Sequence, residues 1–424
     1  MKKYRLLLTG LLIFAVVYIG LLVALVSGTI GSTTKKIDGI EKYAQTFEEL
    51  KIPEDAKVVG IGEATHGNCE FQTDKLRMLQ KLVETGKCHS IAFEMSPGES
   101  AEINDAIHSD DTDLTEVLGR TDYPLYDTEQ MVELLQWMRD YNQGKSYEES
   151  VVLYGVDMQG INRNVSYLVS FAESHEGTFS KKEIKRLKKM SADQDYDYTK
   201  EIDFFKDLRE GVKAEGSQEL GYVGIILDTV IQGITAPDFN TDASAYSSHR
   251  DSSMAENLKS FYELEEKRGY SQIIITAHNG HVMRGNQDGY GVTAMGGFID
   301  EIFEGSYFCV GTAYYNACVN IHVSGTYDDE YLRQDFNFCS DDILAYQAKF
   351  FDKESYCLNF KEIDDTNSEV YKRVYKNGFM GLVGEGYSAA TGMRKDDRIS
   401  LIQGDRFDAV IYYYNVTPIR VLNY

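Results

Sequence analysis

Short apolar runs alternate along the chain with longer stretches in which apolar residues recur every three or four positions. The short runs are rich in β-branched residues and are followed by glycine or polar residues, which predicts buried strands. These strands are expected at 57–61, 89–93, 151–154, 272–276 and 307–312. Helical spacing predicts helices at 69–84 and 129–141. Strands that alternate with helices predict an α/β fold with a mostly parallel central sheet flanked by helices.

Two stretches depart from this alternation. Residues 6–30 form an uncharged, largely apolar run that is long enough to cross a bilayer as a helix. The sequence therefore predicts a transmembrane signal anchor at 1–30, a polar stem at 31–51 and a globular body at 52–424. Residues at about 173–240 carry many charges and few strand signals, which predicts a helical insertion or cap within the body.

The charges beside the apolar run predict the orientation of the anchor. Lys2, Lys3 and Arg5 precede the run, and basic residues favour the cytoplasmic side of a membrane. The expected location is the cell membrane, with a single N-terminal helix as the membrane contact and the body outside the cell.

Composition excludes some classes of function. The formal net charge of -24 disfavours binding to DNA or RNA, since phosphate binding needs clustered lysine and arginine. The basic patch at 181–189 is typical of a solvated helix face. None of the six cysteines forms a Cys-x-x-Cys pair, so the usual zinc spacings are absent and buried free thiols are expected.

Polar residues gather where the predicted strands end. In an open parallel sheet the carboxyl ends of the strands share one edge, and ligands bind at that edge. Side chains that are distant in sequence are therefore expected to meet in one cleft. The residues at these strand ends are Glu63, His66, Glu94, Asp157, His278 and His281.

Familiar nucleophile and phosphate motifs are absent from the sequence. It contains neither the Gly-x-Ser-x-Gly nucleophile elbow nor His-Glu-x-x-His. Gly62 and Gly67 have the spacing of a phosphate-binding loop, but Asn68 stands where that loop requires lysine. With no evident serine or cysteine nucleophile, a histidine base that activates water fits the sequence best.

Several motifs, in order along the chain, resemble those of the erythromycin esterase family. The resemblance covers about 52–418. It begins with Val-Gly-Ile-Gly-Glu-Ala-Thr-His-Gly at 59–67 and includes Trp-Met-Arg-x-Tyr-Asn at 137–142. The remaining matching segments are 91–94, Gly-Val-Asp-Met-Gln at 155–159, Arg-Asp-x-x-Met-Ala-Glu-Asn at 250–257, Ala-His-Asn-x-His at 277–281 and 406–412.

The resemblance implies a metal-independent hydrolase, without a cofactor, that opens a macrolide lactone or related ester. It assigns His66 as the general base, Glu63 and Glu94 as carboxylates that orient the base and the water, and His278 as a group that polarises the carbonyl. Lys75 stands nine residues after His66, where the family has an arginine. The residues expected to bind substrate are His281, Lys75, Asp157, Arg250 and Asn279.

Two alternatives use the same cleft. The glutamates and histidines could supply oxygen and nitrogen ligands to a divalent ion in a metal-dependent hydrolase or peptidase. A non-enzymatic surface module could instead bind a ligand there without turnover. Metal analysis and a hydrolysis assay distinguish the metal-dependent enzyme and the binding module from a metal-free esterase.

Overall fold

A central sheet organises the molecule. The computed structural model describes residues 12–20, 35–121, 124–212, 217–287, 291–325 and 332–422. The strands within those residues are β1 (Val58–Glu63), β2 (Cys88–Phe93), β3 (Val152–Gly155), β4 (Gln272–His278), β5 (Asn286–Gln287), β6 (Val292–Thr293), β7 (Tyr307–Val323), β8 (Arg333–Cys339), β9 (Ser355–Asn359), β10 (Gly378–Gly381), β11 (Gly386–Tyr387), β12 (Arg398–Leu401) and β13 (Ala409–Val416).

Nine of these described strands form one mixed sheet in the order β3-β2-β4-β1-β7-β13-β9, with β8 and β11 paired to β7. The pairs from β3 to β13 are parallel, whereas β9 and β8 run antiparallel to their neighbours. Strand β1 lies between two partners and all six of its residues are buried, which explains its nearly continuous apolar run. The prediction of an α/β fold with a mostly parallel sheet is confirmed.

Helices cover both faces of the sheet. Alternate residues of β1 point to opposite faces, so Val58 joins one hydrophobic cluster and Val59 the other. The helices are α1 (described over 12–20), α2 (Cys69–Val83), α3 (Pro97–Ile107), α4 (Leu114–Leu118), α5 (Glu129–Asn142), α6 (Ile161–Ser174), α7 (Lys181–Ser191), α8 (Ile202–Gly211), α9 (Gln218–Thr235), α10 (Ala243–Arg268), α11 (Asn279–Val282), α12 (Met295–Ile302), α13 (Ile343–Gln347), α14 (Glu369–Val374), α15 (Ala389–Arg394) and α16 (Gln403–Arg406).

Helices α6 to α10 follow one another between β3 and β4, which is where the helical insertion is predicted. Part of the predicted stem packs against the body, since Ile40 and Leu50 are buried and Gln45 pairs with Cys357. The division of the chain into stem, body and insertion stays a prediction.

The N-terminal transmembrane prediction is wrong. The described part of the apolar run, residues 12–20, is helical and is labelled α1. Within the described residues, no helix combines the length and the apolar character that a membrane crossing requires. The single-pass membrane location and the membrane contact were inferred from the same run, so these predictions are wrong as well. Residues 1–11 and 21–34 of the predicted anchor and stem lie outside the described residues.

The register of the sheet brings the predicted site to one edge. Glu63, the last residue of β1, lies opposite His278, the last residue of β4. Phe93 at the end of β2 lies opposite Thr276 on one side and Gly155 on the other. The loops that follow four parallel strands therefore start side by side.

Candidate active site

Two glycines allow the end of β1 and the loop that follows it to lie close to neighbouring segments. A Cβ atom at Gly62 would collide with the side chains of Asn279 and Val282, and one at Gly67 would collide with the carbonyl oxygen of Asn320. Thr312 Oγ1 accepts from the Ala64 amide at 3.0 Å, which ties the loop to β7. The close approach fixes the position of the side chains that the loop carries.

Glu63 and His66 form the first half of the site. His66 Nδ1 lies 2.7 Å from Glu63 Oε1, and Glu63 is 1% exposed. Behind the pair, helix α2 presents Gln72, which donates to Glu63 Oε2 at 3.0 Å, and Lys75, whose Nζ lies 2.8 Å from the same oxygen. Lys75 also donates to Gln72 Oε1 at 2.9 Å. Both carboxylate oxygens of Glu63 are thus engaged by neighbouring donors.

These contacts keep Glu63 ionised. Burial opposes its ionisation, but the charge of Lys75 and the hydrogen bond with His66 outweigh burial and lower the pKa of Glu63 to about 2. An ionised Glu63 accepts a hydrogen bond, so the Nδ1 atom of His66 carries a proton, and the neutral form of the ring has its lone pair on Nε2.

The second half of the site is built around Arg250 on α10. Its Nε and Nη2 donate to both oxygens of Asp157 at 2.6 to 3.2 Å, and Nη2 also donates to Glu94 Oε1 at 2.7 Å. Asp157 is fully buried and Glu94 is nearly so. One guanidinium therefore joins the loops after β2 and β3, and its planar fork suits this double contact.

His281 is bound between two carboxylates. Its Nδ1 lies 2.8 Å from Asp251 Oδ1, and its Nε2 lies 3.4 Å from Glu94 Oε1. Burial disfavours the imidazolium, but Asp251 and Glu94 outweigh that effect and raise the pKa of His281 to about 9. His281 and Arg250 in turn hold the pKa of Glu94 well below its ordinary value, although burial alone would raise it. His281 is therefore a cation at neutral pH.

His278 has the opposite character. Burial, reinforced by the charge of His281, lowers the pKa of His278 to about 3, so its ring is neutral at ordinary pH. Its Nδ1 accepts from the Gly280 amide at 3.4 Å, which assigns the proton to Nε2. That Nε2 atom is buried and has no hydrogen-bond partner among the described residues. The backbone amide of His278 donates to Glu94 Oε2 at 3.2 Å, which fixes the loop.

The two halves meet at the histidines, since the ring centres of His66 and His278 are 5.1 Å apart. The ring bonded to Glu63 therefore lies beside a neutral ring that carries an N–H donor. Such a pair can take a proton from water and stabilise negative charge on a carbonyl oxygen.

Most of the predicted site residues lie together, and two are placed differently. Lys75 is 2% exposed and lies behind Glu63, so its contacts are with the carboxylate and Gln72. Asn279 is fully buried, and its amide group bonds both backbone groups of Thr312 on β7 at 2.8 and 3.3 Å. The residues brought together are Glu63, His66, Glu94, Asp157, Arg250, His278 and His281.

Sequence reasoning missed three residues of the site. Asp251 bonds His281 and also accepts from the Met295 amide at 2.8 Å. Gln72 bonds Glu63, and the Tyr126 hydroxyl donates to the Glu94 carbonyl oxygen at 3.2 Å. Asp251 follows Arg250 in one of the segments that match the family, and this position could have identified it from the sequence. No sequence feature points to Gln72 or Tyr126.

The glutamates and histidines of the site are residue types that can bind metal ions. In the part of the chain that the structure describes, no group of three or more His, Cys, Asp or Glu side chains is arranged to hold a metal ion. The six cysteines are free thiols, four of them buried.

Comparison with known proteins places the chain in a family. A family model described as erythromycin esterase matches residues 83–220 and 230–416, which is well over half of the chain. The chain belongs to the erythromycin esterase family. The match contains Glu94, Asp157, Arg250 and the loop with His278 and His281, whereas Glu63 and His66 precede it.

Individual relatives are distant. The protein is 25% identical over 275 residues to erythromycin esterase type II of Escherichia coli, an alignment that covers 55% of this chain and 62% of that protein. The chain thus spans somewhat less than two thirds of the length of this curated relative.

Solved structures share the fold. A Bacillus cereus protein has a TM-score of 0.71 at 19% identity, with coverage of 91% of this chain and 98% of that chain. A succinoglycan biosynthesis protein has a TM-score of 0.69 at 17% identity, with coverage of 90% and 97%. A mutant of the erythromycin esterase EreC in its open conformation has a TM-score of 0.57 at 15% identity, with coverage of 86% and 91%. At these identities the likeness concerns the fold alone.

Proposed function

We propose that this member of the erythromycin esterase family hydrolyses a neutral ester or lactone by a base-activated water, with His66 as the base. The observation that carries the proposal is the pair formed by His66 and ionised Glu63, with the neutral ring of His278 beside it at 5.1 Å between ring centres. Family membership and the name of the Escherichia coli relative support the ester class.

The proposed reaction begins with the transfer of a proton from water to His66 Nε2. The hydroxide attacks the carbonyl carbon, and the oxygen that becomes negative accepts a hydrogen bond from His278 Nε2–H. His66 then returns its proton to the leaving alkoxide as the C–O bond breaks, which releases an acid and an alcohol. Glu63 stabilises the transient imidazolium through Nδ1–H.

Water is the best-supported nucleophile. Thr65, the hydroxyl residue next to His66, donates its proton to Asn68 Oδ1 at 2.5 Å. Its oxygen is fully buried with the rest of the residue, so it is committed to the loop structure.

The remaining charged groups define the class of substrate. Each of the three cationic groups is paired with a carboxylate: Lys75 with Glu63, Arg250 with Glu94 and Asp157, and His281 with Asp251. None of these three cations is left to bind an anion, and four carboxylates surround them. An anionic ester would meet repulsion on approach, which the net charge of -24 reinforces.

The experiment is a hydrolysis screen on the full chain with a panel of neutral esters and lactones, macrolides among them, and matched esters that carry a carboxylate. The His66→Gln variant is the test and His175→Gln, a histidine with a 41% exposed side chain, is the control. Turnover of neutral esters that only His66→Gln abolishes supports the proposal. Unchanged activity in His66→Gln overturns the assignment of the base.

Two further arms separate the alternatives. Metal analysis, with assays before and after chelation, detects a metal-dependent hydrolase, for which chelation removes the activity. Ligand binding without turnover across the whole panel would indicate a binding module and overturn the hydrolase proposal.

A further inference from the structure

A cavity lies against the edge strand β3, and His66, His278 and His281 are not among the residues that line it. It has a volume of about 1240 Å³ and is bordered by helices α3, α6 and α9 and by the last turn of α10. Helix α3 begins beside the active-site loop at Ser96, and the cavity lies against the part of α3 that ends at His108. The far end of this helix is about 15 Å from its start.

Tyrosines form much of the wall. The ring centres of Tyr167 and Tyr222 are 5.9 Å apart, and those of Tyr154 and Tyr222 are 6.1 Å apart. Burial, followed by the charge of Asp105, raises the pKa of Tyr167, so its ring stays neutral. Tyr147 completes the wall and is 42% exposed. The guanidinium carbon of Arg268 lies 5.1 Å from the centre of this ring, and the exposed part of the ring is open to a ligand. Electron-rich aromatic faces attract organic cations.

Carboxylates outnumber cations around this wall. The buried charge of Arg268 is neutralised by Glu265, whose two oxygens lie 2.7 and 3.0 Å from Nη1. Apart from that pair, two cationic side chains, Arg120 and Lys267, line the cavity. Four carboxylates line it: Glu102, Asp105, Glu148 and Glu219. The local field therefore favours a cation.

One donor on the wall has no hydrogen-bond partner within the part of the chain that the structure describes. The Arg268 side chain is fully buried, and its Nε atom makes no hydrogen bond although the Nη atoms bond Glu265 and the backbone. A buried unsatisfied donor costs about 1–3 kcal/mol, so an oxygen acceptor on a ligand would gain from reaching it.

We propose that this tyrosine cavity binds an organic ammonium compound that also carries an oxygen acceptor. The ammonium group lies against the Tyr147 and Tyr167 rings and near Asp105, and the oxygen accepts from Arg268 Nε–H. The proposal concerns a site separate from His66 and does not depend on the hydrolase activity.

The experiment is calorimetric titration of the full chain with choline and with 3,3-dimethylbutan-1-ol, which has the same shape and hydroxyl group but no charge. Choline is expected to bind saturably, and the neutral compound at least about tenfold more weakly, because it lacks the attraction to the rings and carboxylates. No saturable choline binding up to about 10 mM, or equal binding of both compounds, overturns the proposal.

Variants locate the binding. Tyr147→Leu removes the ring and should weaken choline binding about three- to thirtyfold, while Tyr147→Phe keeps the ring and should retain it. Asp105→Asn, at an exposed position, should weaken binding without affecting folding. Phe379→Leu, a 41% exposed aromatic elsewhere, is the control and should leave binding unchanged. Binding that survives Tyr147→Leu and Asp105→Asn but is lost in His66→Gln would assign choline to the active site and overturn the proposal.

Discussion

The Nδ1 atom of His66 and the Oε1 atom of Glu63 are 2.7 Å apart; Glu63 ends β1 and His66 lies three residues further on. The ionised carboxylate determines which nitrogen of the ring carries the proton, and so leaves Nε2 as the base. Replacing Glu63 with Gln removes the charge that stabilises the imidazolium formed during the reaction.

Substitution of His66 by Gln should reduce kcat/KM for a neutral ester by about 10²- to 10⁴-fold, because the general base is lost. Initial rates over a range of ester concentrations provide the measurement. The kcat/KM of Glu63→Gln should lie between the values of His66→Gln and the wild type. The control His175→Gln should keep full activity, and a comparable loss there would show that the effect is not specific to His66.

Replacement of His278 by Ala should reduce kcat by about 10²- to 10³-fold through loss of the N–H donor. Since the pKa of His278 is about 3, its ring is neutral across the range in which esterases are assayed. The ratio of wild-type to variant kcat should therefore be the same at pH 6, 7, 8 and 9. A ratio that changes steeply over this range would mean that His278 itself titrates and is not a neutral donor.

Lys75→Met should destabilise the protein by about 3–5 kcal/mol, because it leaves the buried carboxylate of Glu63 without its cation. Urea unfolding at pH 7 measures the change. Lys87→Met is a matched control, since Lys87 pairs with the exposed Glu54 at 3.2 Å and should cost less than about 1 kcal/mol. The double variant Lys75→Met with Glu63→Gln should lose less than the sum of the single variants; additive losses would contradict the pairing.

Stability should fall at alkaline pH through His281. The folded state raises the pKa of this residue from 6.5 to about 9. The resulting stabilisation is complete below about pH 6.5 and is lost as the pH rises through about 9, which amounts to about 3 kcal/mol. Unfolding free energies at pH 6, 7.5 and 9 measure the trend. Asp251→Asn removes the nearest carboxylate, so the unfolding free energy of this variant should depend less on pH. An unchanged pH dependence would contradict the role of Asp251.

Gly62→Ala should destabilise the protein by about 1–3 kcal/mol and reduce activity, because the new Cβ collides with Asn279 and Val282 beneath the loop that carries Glu63 and His66. Thermal unfolding and kcat are the measurements. Gly211→Ala, where nothing lies within 4 Å, is the control and should be neutral or stabilising by at most about 1 kcal/mol. Equal effects of both substitutions would exclude crowding as the cause.

Local pattern was enough to predict five strands of the main sheet and the polar residues that follow them. β-branched runs that end in glycine or polar residues identified β1 to β4 and β7, and the rule that parallel strands share a carboxyl edge brought Glu63, Glu94 and His278 together. The apolar run at 6–30 misled the same reasoning, since no helix among the described residues is both long and apolar enough to cross a membrane.

The sequence by itself determined the types of side chain at the sheet edge, because periodicity and turn residues act locally. Only the tertiary structure determined the protonation states of these side chains. His278 ends β4 and His281 lies three residues further on in α11, yet the pKa of His278 is lowered to about 3 and that of His281 is raised to about 9. Desolvation and the positive charge of His281 act on His278, whereas Asp251 from α10 and Glu94, which follows β2, lie beside His281. Electrostatic energy depends on distances between segments that only folding brings together.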